Sequence, residues 1–491
     1  MMKNTDFEIE VAPLKVFDQG PPKINGPRIY GASPKRDFLY YIPVRGERPL
    51  TYRIDGTLPP GLSLNVNSGI ISGQAEASGE WPVTLQVENR LGRDERKFKI
   101  VIRENALCLT PLLGWTSWNA HATVVTDAHI RKAAELLRQL GLADRGYAYV
   151  NIDSGWQGTR PNVASSIIPN QYFPDMYALT AHIHRHGLKA GIYSTPMVHA
   201  WGSSDERLAL PGSTGYPLNP EAFHPYFGGC GQQHFEGIDA RQWAAWKFDY
   251  LKYDWPLCDG FHTQYMSDAL RATGRDFVLS ITTDCNLKYA DIYRRHGNMF
   301  RANKDTYDEW YNRLELTIFP PEEWLRFTGP GNWYDMDMLA LGHIGLSDCE
   351  WNRLSRNEMI SHMAVWAFMA SPIQISCNLA TIDDFTLALM SNEELIDINQ
   401  DELGRGAVCE VQQENARIYL RELADHAFAA AFINSGEDTV ELTLERPGRS
   451  ITARDVLAQK DLGILAQKIT LSIPRHGTRI IRFTEAKQET A

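Results

Sequence analysis

The chain has 491 residues, too many for one compact core and enough for roughly three domains. Hydrophobic residues make up 43% and charged residues 22%, the balance of an ordinary soluble globular protein. Lys and Arg (49) against Asp and Glu (60) leave a net charge of −11, which, with no basic run, argues against nucleic acid or an anionic membrane as partner.

The seven cysteines (Cys108, Cys230, Cys258, Cys285, Cys349, Cys377 and Cys409) are scattered and form no CxxC pair. That speaks against a zinc site and against a fully paired disulfide framework, and no metal or cofactor is expected. The first residues, MMKNTDFEIEVAPL, lack the apolar h-region of a signal peptide, and no 18-residue apolar run occurs. The chain as it stands reads as cytoplasmic, or as periplasmic or secreted if a signal was removed. Its 13 Trp and 20 Tyr suit either a sugar site, where flat rings cover a pyranose, or plain core.

Residues 1–106 read as all-β. Proline and glycine clusters (QGPPKINGPRIYG, TLPPGL, NSGIISG) separate short alternating runs such as FLYYIPV, PVTLQVENR and RKFKIVI. From 107 to 403 the pattern changes to strand–helix alternation. In one unit Thr126 caps a helix with Ile130, Ala133, Ala134, Leu137 and Leu140 on one face, and Gly141 ends it. The apolar run YAYVNID follows. LKAGIYS, DYLKYDW, DFVLSIT, MFRANKD, WYDMDML and PIQISCN repeat the pattern, and GWTSW precedes it, so eight strands are predicted. Between them lie helical segments such as DMYALTAHIHRHG and NEMISHMAVWAFMA. Eight βα units in this length predict a (β/α)8 TIM barrel, and the missing GxGxxG turn speaks against a dinucleotide fold. Residues 404–491 return to alternation in ARIYLREL, HAFAAAFIN, TVELTLER, KITLSI and TRIIRFT, predicting an antiparallel β domain, although the AAAF run also suits a helix.

Active sites of TIM barrels lie at the C-terminal strand ends. Here the second strand ends in Asp153, the fourth in Asp254, the sixth in Asp305 and the seventh in Asp335 and Asp337. Any one carboxylate there could merely cap the next helix, but five with two nearby cations make caps alone a poor account. Two carboxylates without a metal cluster suit glycosyl chemistry, one attacking the anomeric carbon and one protonating the leaving oxygen. Lys252 lies two residues before Asp254, so both share a strand face, and the cation is expected to keep Asp254 ionised at neutral pH. Arg301, four before Asp305, shares its face if the strand runs straight. His121 and His199 show no HxxxH or HxH spacing and read as polar lining.

From LTPLLGWTSWN at 109 to INQDELG at 404 the chain resembles glycoside hydrolase family 27, the α-galactosidase and α-N-acetylgalactosaminidase family. The N-terminal stretch LPPGLSLNVNSGIISGQ resembles Ig-like domains found beside bacterial glycosidases. The architecture so implied is an N-terminal Ig-like β-sandwich, a central TIM barrel and a C-terminal antiparallel β-sandwich. By the same resemblance YLKYDW makes Asp254 the nucleophile and Lys252 a hydroxyl-binding lysine. FRANKDTYDEW makes Asp305 the acid/base and Arg301 a substrate ligand. Trp118 of GWTSWN, Asp153 of YVNIDSGW, Tyr193 of GIYS and Asp337 of GPGNWYDMDML complete the sugar site.

Three positions depart from the family. Ser154 stands where a second aspartate usually recognises the C4 and C6 side of galactose. It is expected to touch substrate and to weaken turnover of simple α-galactosides. Trp201 and Pro256 occupy the positions of a common family disulfide. LSITTDCNLKY lacks the recognisable loop for the sugar C2 substituent. The implied activity is that of a retaining exo-glycoside hydrolase, α-galactosidase-like, acting on an oligosaccharide or glycoside. A β-L-arabinopyranosidase and an isomaltosyl-releasing hydrolase are the alternatives within the family. A non-catalytic carbohydrate-binding protein is the alternative outside it, disfavoured by the intact carboxylate pair. A third reading makes residues 1–106 the sugar-binding or adhesion unit.

Overall fold

A computed structural model describes residues 7–162, 164–197, 200, 230, 234–345, 350–445, 451–465 and 468–485. His199, Trp201 and Cys349 lie outside them.

The N-terminal strands form two sheets packed face to face. One has four strands in the order Ile29–Ala32, Gly92–Ile102, Gly79–Asn89, Thr51–Asp55, and the other runs Asp37–Tyr41, Ile70–Gln74, Leu62–Asn65. Their inward positions, among them Leu85, Ile71 and Ile100, are buried, which is the alternation read from the sequence.

Next comes an eight-stranded parallel sheet: Leu113–Thr116, Tyr149–Asn151, Lys189–Ser194, Tyr250–Asp254, Val278–Thr282, Met299–Phe300, Trp333–Tyr334 and Ile373–Ile375. The first seven pair in sequence order, and the first also pairs with the eighth. A bridge from Leu339, just past the seventh strand, to Ile375 brings the two ends of the sheet together, the TIM-barrel arrangement. All eight strands coincide with predicted runs. They were legible because a strand covered on both faces must be apolar nearly throughout. The predicted first helix is Asp127–Gln139, with Thr126 accepting the His129 amide at 3.3 Å and Gly141 in the left-handed region at φ 70°. The helix Arg356–Phe368 is buried from Asn357 to Phe368, held between the barrel and the last domain, which is why its sequence lacks a polar face.

The C-terminal strands make a six-stranded antiparallel sheet, with Val440–Glu445 and Lys468–Ile473 paired opposite it. The ambiguous AAAF run is strand Phe428–Asn434. Ala429 and Ala431 face the barrel core while Ala430 and Phe432 face the sandwich core, so no polar alternation survives to mark it as β. Three strands escaped prediction: Val408–Gln412, Ile451–Asp455 and Lys460–Leu465. Among the described residues no helix is long and apolar enough to cross a membrane.

The N-terminal sandwich docks through carboxylates of the barrel. Glu393 receives Lys23 at 2.9 Å and Arg45 at 2.7 Å, with Arg145 at 3.6 Å. Asp144 accepts Tyr41 at 2.5 Å and Arg48 at 2.7 Å. Burial alone would raise the Glu393 carboxyl, but Lys23 and Arg45 bring it down to about 2. Because the folded value lies below the ordinary one of 4.5, the stabilisation is present above pH 4.5 and fades as pH falls towards 2. Glu393→Gln leaves the buried Arg145 and the partly exposed Arg45 and Lys23 without their counter-charge and is expected to cost about 3–5 kcal/mol at pH 7, with a much smaller penalty in strong acid. Denaturant unfolding of both proteins at the two pH values checks this.

Candidate active site

The ends of the barrel strands converge on a cavity of about 380 Å³. Trp118, Asp153, Tyr193, Lys252, Asp254, Arg301, Asp305 and Asp337 all line it. Eight of the nine residues expected at the site are therefore brought together. Ser154 is not among the lining residues. It is fully buried, and its amide donates to Asp153 Oδ1 at 2.8 Å. Direct contact between Ser154 and a ligand, expected because it stands where the family usually has a second aspartate, has no support in this arrangement. Following a lining residue in sequence does not put the next side chain on the same surface.

Parallel pairing sets Tyr193 beside Lys252 and Asp254 beside Thr282. The Tyr193 hydroxyl donates to Asp254 Oδ2 at 3.1 Å, and Lys252 Nζ donates to Asp153 Oδ2 at 2.9 Å. Asp153 is further fixed by Thr116, whose hydroxyl lies 3.4 Å from Oδ2. Burial alone would lower the Lys252 pKa, but Asp153 and then Asp254 outweigh it and raise it. The expectation that Lys252 holds Asp254 down meets a stronger effect. Burial pushes the Asp254 carboxyl up to about 6 despite Lys252 and Arg301. It is ionised at pH 7 with little to spare.

The sixth strand is regular only through Phe300, so Arg301 and Asp305 do not meet along a strand face. They meet because the chain turns after Phe300. Arg301 Nη2 reaches Asp305 Oδ1 at 2.6 Å and Nη1 reaches Asp337 Oδ2 at 2.5 Å. Asp337 sits in the left-handed region at φ 83°, and its carboxylate also accepts the Thr306 amide at 2.7 Å. Its own amide donates to Asp335 Oδ1 at 2.8 Å. Asp335, named among the acidic strand ends, thus props Asp337 from below the lining, and its carboxyl is raised to about 6 by burial and by Asp337. At Asp305 burial is overcome by Arg301, so that carboxyl lies below its ordinary value. With 46% of its side chain exposed, it is far more accessible than Arg301 at 4%.

The cavity also holds residues that the sequence reading passed over, chiefly Thr283, Asp284, Lys304, Tyr307 and Arg313. Thr283 and Asp284 come from LSITTDCNLKY, the segment without a familiar loop. Asp284 is a further carboxylate at a strand end, the signal already used for the others, and was missed because it follows two threonines. Burial raises its carboxyl. Pro256 lines the cavity too. Among the described residues the cysteines are free, and no cluster of His, Cys, Asp or Glu is arranged to hold a metal. His121 stacks on His129 at 4.1 Å, and burial lowers its pKa to about 4.

A family model described as alpha galactosidase A matches residues 110–216 and 222–401. The model for the alpha galactosidase C-terminal beta sandwich domain matches residues 413–483, and an Ig-domain model matches 21–103. The alpha-galactosidase of Oryza sativa is 30% identical over 396 residues, spanning 78% of this chain and 86% of that one. The crystal structure of an alpha-galactosidase candidate from Bacteroides fragilis superposes with a TM-score of 0.83 at 28% identity, over 96% of this chain and all of that one. A GH27 β-L-arabinopyranosidase from Geobacillus stearothermophilus shares the fold, at 22% identity and a TM-score of 0.67, over 77% of this chain and 97% of that one. With a family model matching more than half its length, the chain belongs to the alpha-galactosidase family, glycoside hydrolase family 27.

Proposed function

We propose that this glycoside hydrolase releases terminal α-galactosyl units by double displacement, with Asp254 as nucleophile and Asp305 as acid/base. The observation that carries the reading is the presence of both carboxylates in one cavity, held by different partners: Tyr193 for one, Arg301 for the other. Asp254 attacks the anomeric carbon and forms a glycosyl ester while the leaving oxygen takes a proton from Asp305. Water then loses a proton to Asp305 and displaces Asp254, so the configuration is retained. Asp153, Lys252, Arg301 and Asp337 offer charged partners to the sugar hydroxyls, and Trp118 offers a flat face. A cavity of about 380 Å³ suits one terminal sugar and part of the next.

Specificity shifted away from plain α-galactosides is the second reading, favoured by Thr283 and Asp284 in the cavity. Rates on aryl α-galactoside, α-N-acetylgalactosaminide, β-L-arabinopyranoside and α-glucoside separate the two. Fastest turnover of the α-galactoside supports the first, and fastest turnover of any other replaces it.

The pH profile follows from the two ionisations. Asp254 must be deprotonated, and its carboxyl lies at about 6. Asp305 must be protonated, and its carboxyl lies below 3.8. With the base titrating above the acid, kcat/KM rises through the lower value, is level between them and falls about tenfold per pH unit above about 6. The expected optimum is acidic. A rate still rising between about pH 6 and 8 counts against this carboxylate pair.

A further inference from the structure

At the opposite end of the barrel, where the N-terminal sandwich meets the starts of the fifth to seventh strands, lies a second cavity of about 330 Å³. Six arginines line it: Arg275, which pairs with Asp37 at 2.7 Å and Asp249 at 2.5 Å, and five others. Arg36 comes from the sandwich, Arg271 from the last turn of helix Gly260–Ala272, Arg294 and Arg295 from the last turn of helix Ala290–His296, and Arg326 from the segment before the seventh strand. Among the described residues none of the five has an ion-pair partner, although the chain as a whole carries a net charge of −11. The acidic residues nearby are Glu104 and Asp276, and Asp276 already accepts the Ser33 amide at 2.8 Å.

Arginine in a last helical turn offsets the helix dipole, which accounts for Arg271, Arg294 and Arg295 one at a time. Arg326, at the C-cap of the single-turn helix Glu322–Leu325, falls under the same account, but Arg36, which comes from another domain, does not. Gly274, at φ 80°, leaves the space that Arg36 fills: a Cβ there would stand 2.8 Å from Arg36 Nη1. Arg271, Arg294, Arg295 and Arg326 are exposed and Arg36 is half-buried, so water screens part of their mutual repulsion; an anion among them would relieve the rest, and their forked donors match the oxygens of phosphate and sulfate.

We propose that this cavity is a binding site for a tetrahedral oxyanion, supplied either as free phosphate or as the sulfate ester of a sugar. It is separate from the catalytic cavity and does not depend on the reading of that site. Calorimetric titration of the full chain with inorganic phosphate, with galactose 6-sulfate and with galactose at constant chloride tests it. At least one of the two anions is expected to bind with Kd below about 1 mM. The double variant Arg294→Ala/Arg295→Ala, and separately Arg326→Glu, should each weaken that binding at least about tenfold while leaving glycosidase kcat unchanged. Phosphate binding as tightly as the sulfated sugar identifies the free ion, and tighter binding of the sulfated sugar identifies the ester. No saturable anion binding at about 10 mM, binding of galactose alone at this site, or anion binding that survives both variants overturns the proposal.

Discussion

Asp254→Asn is expected to lower turnover by about 10⁴-fold or more while leaving the fold intact. An amide has the shape of the carboxylate, so the Tyr193 hydroxyl still has an oxygen to meet, and the buried site loses a charge whose burial was itself unfavourable. What it loses is the anion that attacks the anomeric carbon, and the other carboxylates expected at the sugar site are already paired with cations. Asp153 is bound by Lys252, while Asp305 and Asp337 are held by Arg301. Thermal unfolding should match the wild type or exceed it. Retention of more than a few per cent of activity, in protein made free of wild-type enzyme, sinks the assignment.

Asp305→Ala should divide substrates by leaving group. Protonation contributes about 10²–10⁴-fold where the departing oxygen is basic, so a disaccharide loses nearly that much in its first step. An aryl glycoside with an acidic phenol needs little help and forms the glycosyl ester almost as before. The ester then waits for water that no base activates. Added azide needs no base, so it should speed release and give a glycosyl azide with the substrate's own anomeric configuration. Equal losses on both substrates and no effect of azide would make Asp305 a structural partner of Arg301 and nothing more. Arg301→Met should also lift the depressed Asp305 carboxyl, since the guanidinium is what overcomes burial there.

The barrel and the two β domains were legible because their signals are periodic. Continuous apolar runs mark strands covered on both faces, and short alternating runs between Gly and Pro mark the sandwiches. The same logic failed at Phe428–Asn434, where three buried alanines hide the alternation. The carboxylates were legible because strand ends converge in a barrel whatever the loops do. Features made by loops were not. Asp284 enters the cavity from a turn with left-handed backbone at φ 54°. The Arg301–Asp305 pair depends on how the chain bends after Phe300, and Ser154, although it stands where the family usually has an aspartate, is buried and does not line the cavity. That Asp254 is ionised at pH 7 was expected, but how narrowly it is so was not legible, for a related reason. Lys252 two residues away is visible in the sequence, whereas the burial that outweighs it is a property of the whole fold.

Trapping the glycosyl ester on Asp254 tests the nucleophile most directly. A fluorinated galactosyl fluoride that transfers its sugar quickly and releases it slowly should add one glycosyl mass to the full chain. Proteolysis and mass spectrometry should place that mass on the peptide containing Tyr253, Asp254 and Trp255. Adduct on a peptide that lacks Asp254, or hydrolysis of the reagent with no adduct and with inversion at the anomeric carbon, would contradict the account.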